Sequence, residues 1–191
     1  CSHLMFPSIS RDSMWAISML CYRHKDNSTK LGALGACDSV LSALKLHSAT
    51  PLVALWACAA LANLTANGCD DNVRKCVDAG VCTELSKLLE SSLQCAPLTR
   101  ARNGDIQSQE QSITDSGSSI KQADTGSSGD KDGSMLGGNA DLLKYVLWAI
   151  CNICSAKSAC DAFGYTNVCD LCVEAVYVYH AHDPAITQLA L

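Results

Sequence analysis

Apolar residues recur at helical intervals through residues 1–92 and 140–191 and almost vanish between 93 and 139. The clearest helix is PLVALWACAALANLT, where Leu52, Leu55, Ala59 and Ala62 form an i, i+3, i+7, i+10 stripe. Pro51 suits a first helical turn because its fixed φ is helical and its missing N–H is not needed there; Thr50 precedes it as a candidate N-cap. Asp141 opens a second long helix, DLLKYVLWAICNIC, and MWAISMLC after Ser13 belongs to an earlier one. Small residues on most faces of these helices predict close packing on more than one side.

The segments superpose with a period. Asn27 and Gly35 align with Asn72 and Gly80 at an offset of 45, and Asn63 aligns with Asn152 at 89. Removing the roughly 47-residue interruption leaves about 42, within the 40–47 range of helical repeats. Each unit reads as a short, a medium and a long helix. The spans are 27–34, 36–46 and 50–66; then 72–79, 81–91 and 140–155; then 158–165, 168–180 and the start of a long helix at 184–191. Gly35 and Gly80 fall at the break between the first two helices, where a sharp reversal favours positive φ, which glycine adopts freely. Asn167 occupies that slot in the third unit and predicts a left-handed cap there.

Residues 93–139, rich in Ser, Gly, Gln and Asp, cannot bury enough surface to offset their ordering entropy; a disordered insertion is expected. Domains are thus read as 1–92 and 140–191, parts of one array, with 93–139 hanging from it. At 48% apolar and 17% charged, the rest of the chain can build a core. Its longest apolar run, Leu52 to Ala62, is too short for a membrane span. The net charge of −5 argues against a nucleic-acid partner. Thirteen cysteines would suit a secreted disulfide scaffold. The count is odd, however, no export signal is visible, and most of the cysteines lie inside helical patterns, so they read as reduced core residues in a cytoplasmic or nuclear protein.

The stretches ALANLTANGCDDNVRKCVDAGVCTELSKLL, LWAICNICSA and LGALGACDSVLSAL resemble the armadillo-repeat family of β-catenin-like and importin-α-like proteins. The resemblance implies an all-α fold, a right-handed α-solenoid of about three three-helix repeats with incomplete terminal ones. It also implies a non-enzymatic scaffold that binds a partner protein or extended peptide along a concave face built by the long helices. In importin-α-like members a Trp and an Asn four residues apart hold basic peptides. Trp148 and Asn152 match that spacing; Asn63 matches the Asn but has Ala59 in the Trp slot, and Trp15 is followed by Met19. Trp56 and Tyr145 share the slot seven residues before their Asn, at the groove's edge. The expected partner-binding set is therefore Trp148, Asn152, Asn63, Trp56 and Tyr145, with an importin-like adaptor as the alternative. Because the sequence starts within one repeat and stops within another, further repeats or end-to-end self-association are expected.

One competing signal is metal chemistry. Cys151-x-x-Cys154 and Cys169-x-x-Cys172 approach four-cysteine zinc spacing, which would make the chain a zinc-stabilised module. Cys151 and Cys154 lie inside a helical pattern rather than on a tight turn, so repeat packing is the preferred explanation and no cofactor is expected. His180, His182 and Asp183 read as a solvated helix end, and Asp70 with Asp71 as a capping region.

Overall fold

The structure, a computed structural model, describes residues 5–66, 68–94, 138–179 and 184–191. It is all-helical, with no strand among the described residues. The described residues form ten helices in order: α1 (Pro7–Cys21), α2 (Lys25–Ala33), α3 (Ala36–His47), α4 (Pro51–Thr65), α5 (Asp70–Asp78), α6 (Val81–Gln94), α7 (Gly138–Ile153), α8 (Lys157–Phe163), α9 (Val168–Tyr179) and α10 (Pro184–Ala190). All belong to one unit, Cys1–Ala96 with Gly137–Leu191. Helix α6 runs on to Gln94 and α7 starts at Gly138, so the helices take in both edges of the expected insertion. Residues 95–137, its bulk, lie outside the described residues, as do His180, His182 and Asp183.

Helix α4 sits at the centre. It packs against α1 on one side and α7 on the other, with α3 also against it. Its residues from Ala57 to Thr65 are all buried, which its run of Ala and Cys permits because small side chains let backbones approach. Pro51 takes the first helical position as expected. Thr50 is the N-cap residue, but no side-chain bond caps the helix; its carbonyl instead accepts from the N–H groups of Val53 and Ala54, each at 3.0 Å. The α5 cap is Cys69, which moves Asp70 and Asp71 into the first turn, where their charges favour the helix dipole. Leu44, Leu61, Leu64, Leu85, Leu89, Leu143 and Leu147 fill the interior.

Gly35 and Gly80 reverse the chain with nearly equal left-handed φ, 86° and 87°. The third break is built differently, correcting the expectation for Asn167. Among the described residues only Arg23 outside glycine has positive φ, so Asn167 makes no left-handed cap. Four residues, Gly164 to Asn167, join α8 to α9, where two suffice at the other breaks. This longer turn is closed by Thr166, whose hydroxyl donates to the Phe163 carbonyl at 2.7 Å and accepts from the Val168 N–H at 3.3 Å. With more backbone to turn through, no residue needs the strained region.

Candidate partner-binding surface

Side-chain amides stitch successive helices to one another in a constant register. Asn63 Nδ2 on α4 donates to the carbonyl and hydroxyl of Ser18 on α1, both at 3.0 Å. Asn152 Nδ2 on α7 donates to the carbonyl of Ala62 on α4 at 2.9 Å. In each case the acceptor carbonyl lies one residue before the aligned Asn slot of the preceding long helix. A second set runs through the short helices. Asn72 Nδ2 on α5 donates to the carbonyls of Ser28 (2.9 Å) and Leu64 (2.8 Å). Asn27 on α2 does likewise to Leu20 at 2.8 Å. Ser28 Oγ returns a bond to the Asn63 carbonyl at 3.1 Å, and Lys75 Nζ reaches the Gly32 carbonyl at 2.9 Å. Gly32 is required for this: a Cβ there would overlap the Asn72 carboxamide.

These bonds change the expected role of Asn63. At 5% exposure, with its amide donors engaged on Ser18, it has no face to offer a peptide; it is removed from the partner-binding set. Asn152 is half-buried and makes the equivalent bond to the neighbouring helix, so its first role is also structural. Asn72, Ser28 and Lys75 escaped the sequence reading as bonding residues. The signal was present in the offset that pairs Asn27 with Asn72.

The aromatic residues do come together. Trp15, Trp56, Tyr145 and Trp148 form one strip across α1, α4 and α7, with ring centroids 6.0, 6.4 and 5.9 Å apart in succession and planes inclined by 37° to 44°. Trp15 is 52% exposed and the other three rings are partly buried. Inclined rings at this separation are in favourable contact, each pair contributing about 0.5–1.5 kcal/mol beyond burial. Met19, one turn beyond Trp15, extends the apolar surface at 59% exposure. The adjoining charges are paired along their own helices, Arg11 with Asp12 at 2.8 Å and Lys144 with Asp141 at 3.7 Å. The result is an apolar, polarizable face with neutralised flanks.

The alternative zinc set is not assembled. Among the described residues no three His, Cys, Asp or Glu side chains converge as a metal site would require. Cys151 instead donates to the Leu189 carbonyl at 3.2 Å, tying α7 to α10. Cys154 is half-buried, and burial, reinforced by the neighbouring Cys160, pushes its thiol up to about 12; burial pushes Cys172 up to about 11. Cys169 is exposed. Thiols held protonated in this way are poor zinc ligands at neutral pH. An open cleft of about 340 Å³ is lined by Asp70, Asp71, Arg74, Ser155, Ala156 and Ser158. Arg74 pairs with Asp71 there at 3.2 Å.

No helix among the described residues is long and apolar enough to cross a membrane. Comparison with protein-family models, with curated proteins and with solved structures finds no match for this chain.

Proposed function

We propose that the chain is an armadillo-type α-solenoid, a non-enzymatic scaffold that recruits a partner protein or extended peptide along the face shared by α1, α4 and α7. The repeat reading is supported by the side-chain bonds that join sequence positions 45, 44 and 43 residues apart (Asn63 to Ser18, Asn72 to Ser28, Lys75 to Gly32). The binding reading is carried by the aromatic strip: Trp and Tyr dominate interface energetics, and here four rings form one continuous, partly exposed surface. An importin-like grip on basic peptides needs open slots between rings for Lys or Arg stems. Consecutive rings here touch one another, and the flanking acids are already paired, which favours an apolar segment lying over the strip.

Selection from a displayed peptide library against the immobilised chain tests this. Selected peptides are expected to be apolar and to lose at least tenfold in affinity with Trp15→Ala plus Trp148→Ala. They should bind normally to Tyr165→Ala plus Tyr177→Ala, which removes two exposed rings outside the strip (93% and 81% exposed). Equal binding to both double variants would refute the assignment of the strip.

A further inference from the structure

The fold regroups the cysteines that the sequence pairs as Cys151 with Cys154. Cys154 follows the last residue of α7, and Cys160 lies in α8, across the turn Ser155–Ala156. The Cys160 thiol donates to the Cys154 carbonyl at 3.1 Å, which brings its sulfur across the turn onto residue Cys154. The backbone holds both in place, Cys154 N–H bonding to the Ile150 carbonyl at 2.8 Å and Cys160 N–H to that of Ala156 at 3.2 Å. Cys160 is exposed, Cys154 half-buried, and Ser155 and Ala156 between them line the open cleft, so small solutes reach this junction. Cys37, whose thiol faces the Asn72 carbonyl, and Cys76 are buried at 1% and 0% exposure, out of reach of a dissolved oxidant.

We propose that Cys154 and Cys160 are a redox pair that closes to a disulfide by exchange with a low-molecular-weight disulfide of the glutathione type. Exposed Cys160 reacts first. Its thiolate attacks one sulfur of the oxidant, the oxidant's S–S bond breaks, and the departing thiolate takes up the proton that Cys160 released. Cys154 then gives up its proton and attacks the Cys160 sulfur, expelling the second thiolate, which is protonated in turn. Two protein thiols lose two hydrogens and two electrons, and the oxidant becomes two thiols. Burial is the main cause that holds the Cys154 proton and persists, while the smaller contribution of the neighbouring Cys160 charge disappears once Cys160 carries the mixed disulfide. The closed bond would tie the end of α7, the helix bearing Tyr145 and Trp148, to α8.

The full chain is incubated with graded ratios of reduced to oxidised glutathione, quenched with an alkylating agent under acid denaturation, digested and mapped by mass spectrometry. The expected product is a cross-linked Cys154–Cys160 peptide lacking two hydrogens, with Cys37 and Cys76 alkylated. Cys160→Ser should abolish the cross-link, and Cys154→Ser should stop at a glutathione adduct on Cys160. The proposal is overturned if the unmodified sequence accumulates the glutathione adduct without closing. It also fails if Cys160 pairs with another cysteine, or if both thiols stay reduced in excess oxidised glutathione.

Discussion

Gly32 and Asn72 should be energetically inseparable. Asn72→Ala removes two hydrogen bonds, to the carbonyls of Ser28 and Leu64, from a site where Asn72 is 3% exposed. At about 1 kcal/mol per bond, plus the cost of leaving buried carbonyls short of a donor, the loss is about 2–3 kcal/mol. Gly32→Ala deletes nothing, yet its methyl would occupy the space of the Asn72 carboxamide, so the same two bonds break and strain is added. Its cost should be about 3 kcal/mol, the upper end for overpacking a core. Combining the two inverts the sign: with the carboxamide gone the methyl has room, and alanine in place of glycine inside α2 favours the helix by up to about 1 kcal/mol. The coupling between the sites is therefore about 3–4 kcal/mol. Urea unfolding of the four proteins of the cycle, followed by far-UV circular dichroism, reads it directly. Gly32→Ala costing the same in both backgrounds would refute the account of why glycine stands there.

Other outcomes follow from the same coordinates. Asn63→Ala should lower stability by about 2 kcal/mol through the two bonds to Ser18, while Asn63→Ser recovers little because the shorter side chain does not span to α1; urea midpoints decide. Gly35→Ala and Gly80→Ala should each cost about 1–2 kcal/mol from backbone strain alone, since nothing lies within 4 Å of either added methyl, and the two losses should match. Stability should fall as pH rises above the ordinary thiol value of 9.0. Burial raises the folded-state pKa of Cys82 and Cys172 to about 11 and of Cys154 to about 12, so the unfolded chain releases these protons first. Thermal melts under reducing conditions should decline from pH 9 toward 12, and a flat profile over that window would count against the burial of these thiols.

The helices were largely legible in the sequence because their signals are local: periodicity, Pro51 at a first turn, and Gly35 and Gly80 at reversals. Asn167 misled because the same residue type serves a left-handed cap or an ordinary longer turn, and the two extra residues after Phe163 decided between them. Asn63 misled for a different reason. Its position on the long helix was readable, but whether its amide turns outward to a ligand or sideways to Ser18 depends on how closely α1 approaches. That in turn depends on small residues in two helices at once. The aromatic strip was half legible. Trp56 and Tyr145 share one slot and Trp15 and Trp148 another, and only the packing of the three helices brings both slots into one line.

The bond from Asn152 to Ala62 reproduces that from Asn63 to Ser18 although the connection preceding α7 is far longer than the one preceding α4. The cost of closing a loop rises only slowly with its length, about 0.6 kcal/mol per doubling, so the association of α7 with α4 depends little on how many residues separate them. A protease cut between Gln94 and Gly138 should then leave two pieces that stay together and, once separated in denaturant, find each other again on dilution. The molecule is, in this respect, already two interlocking parts that happen to be delivered on a single string.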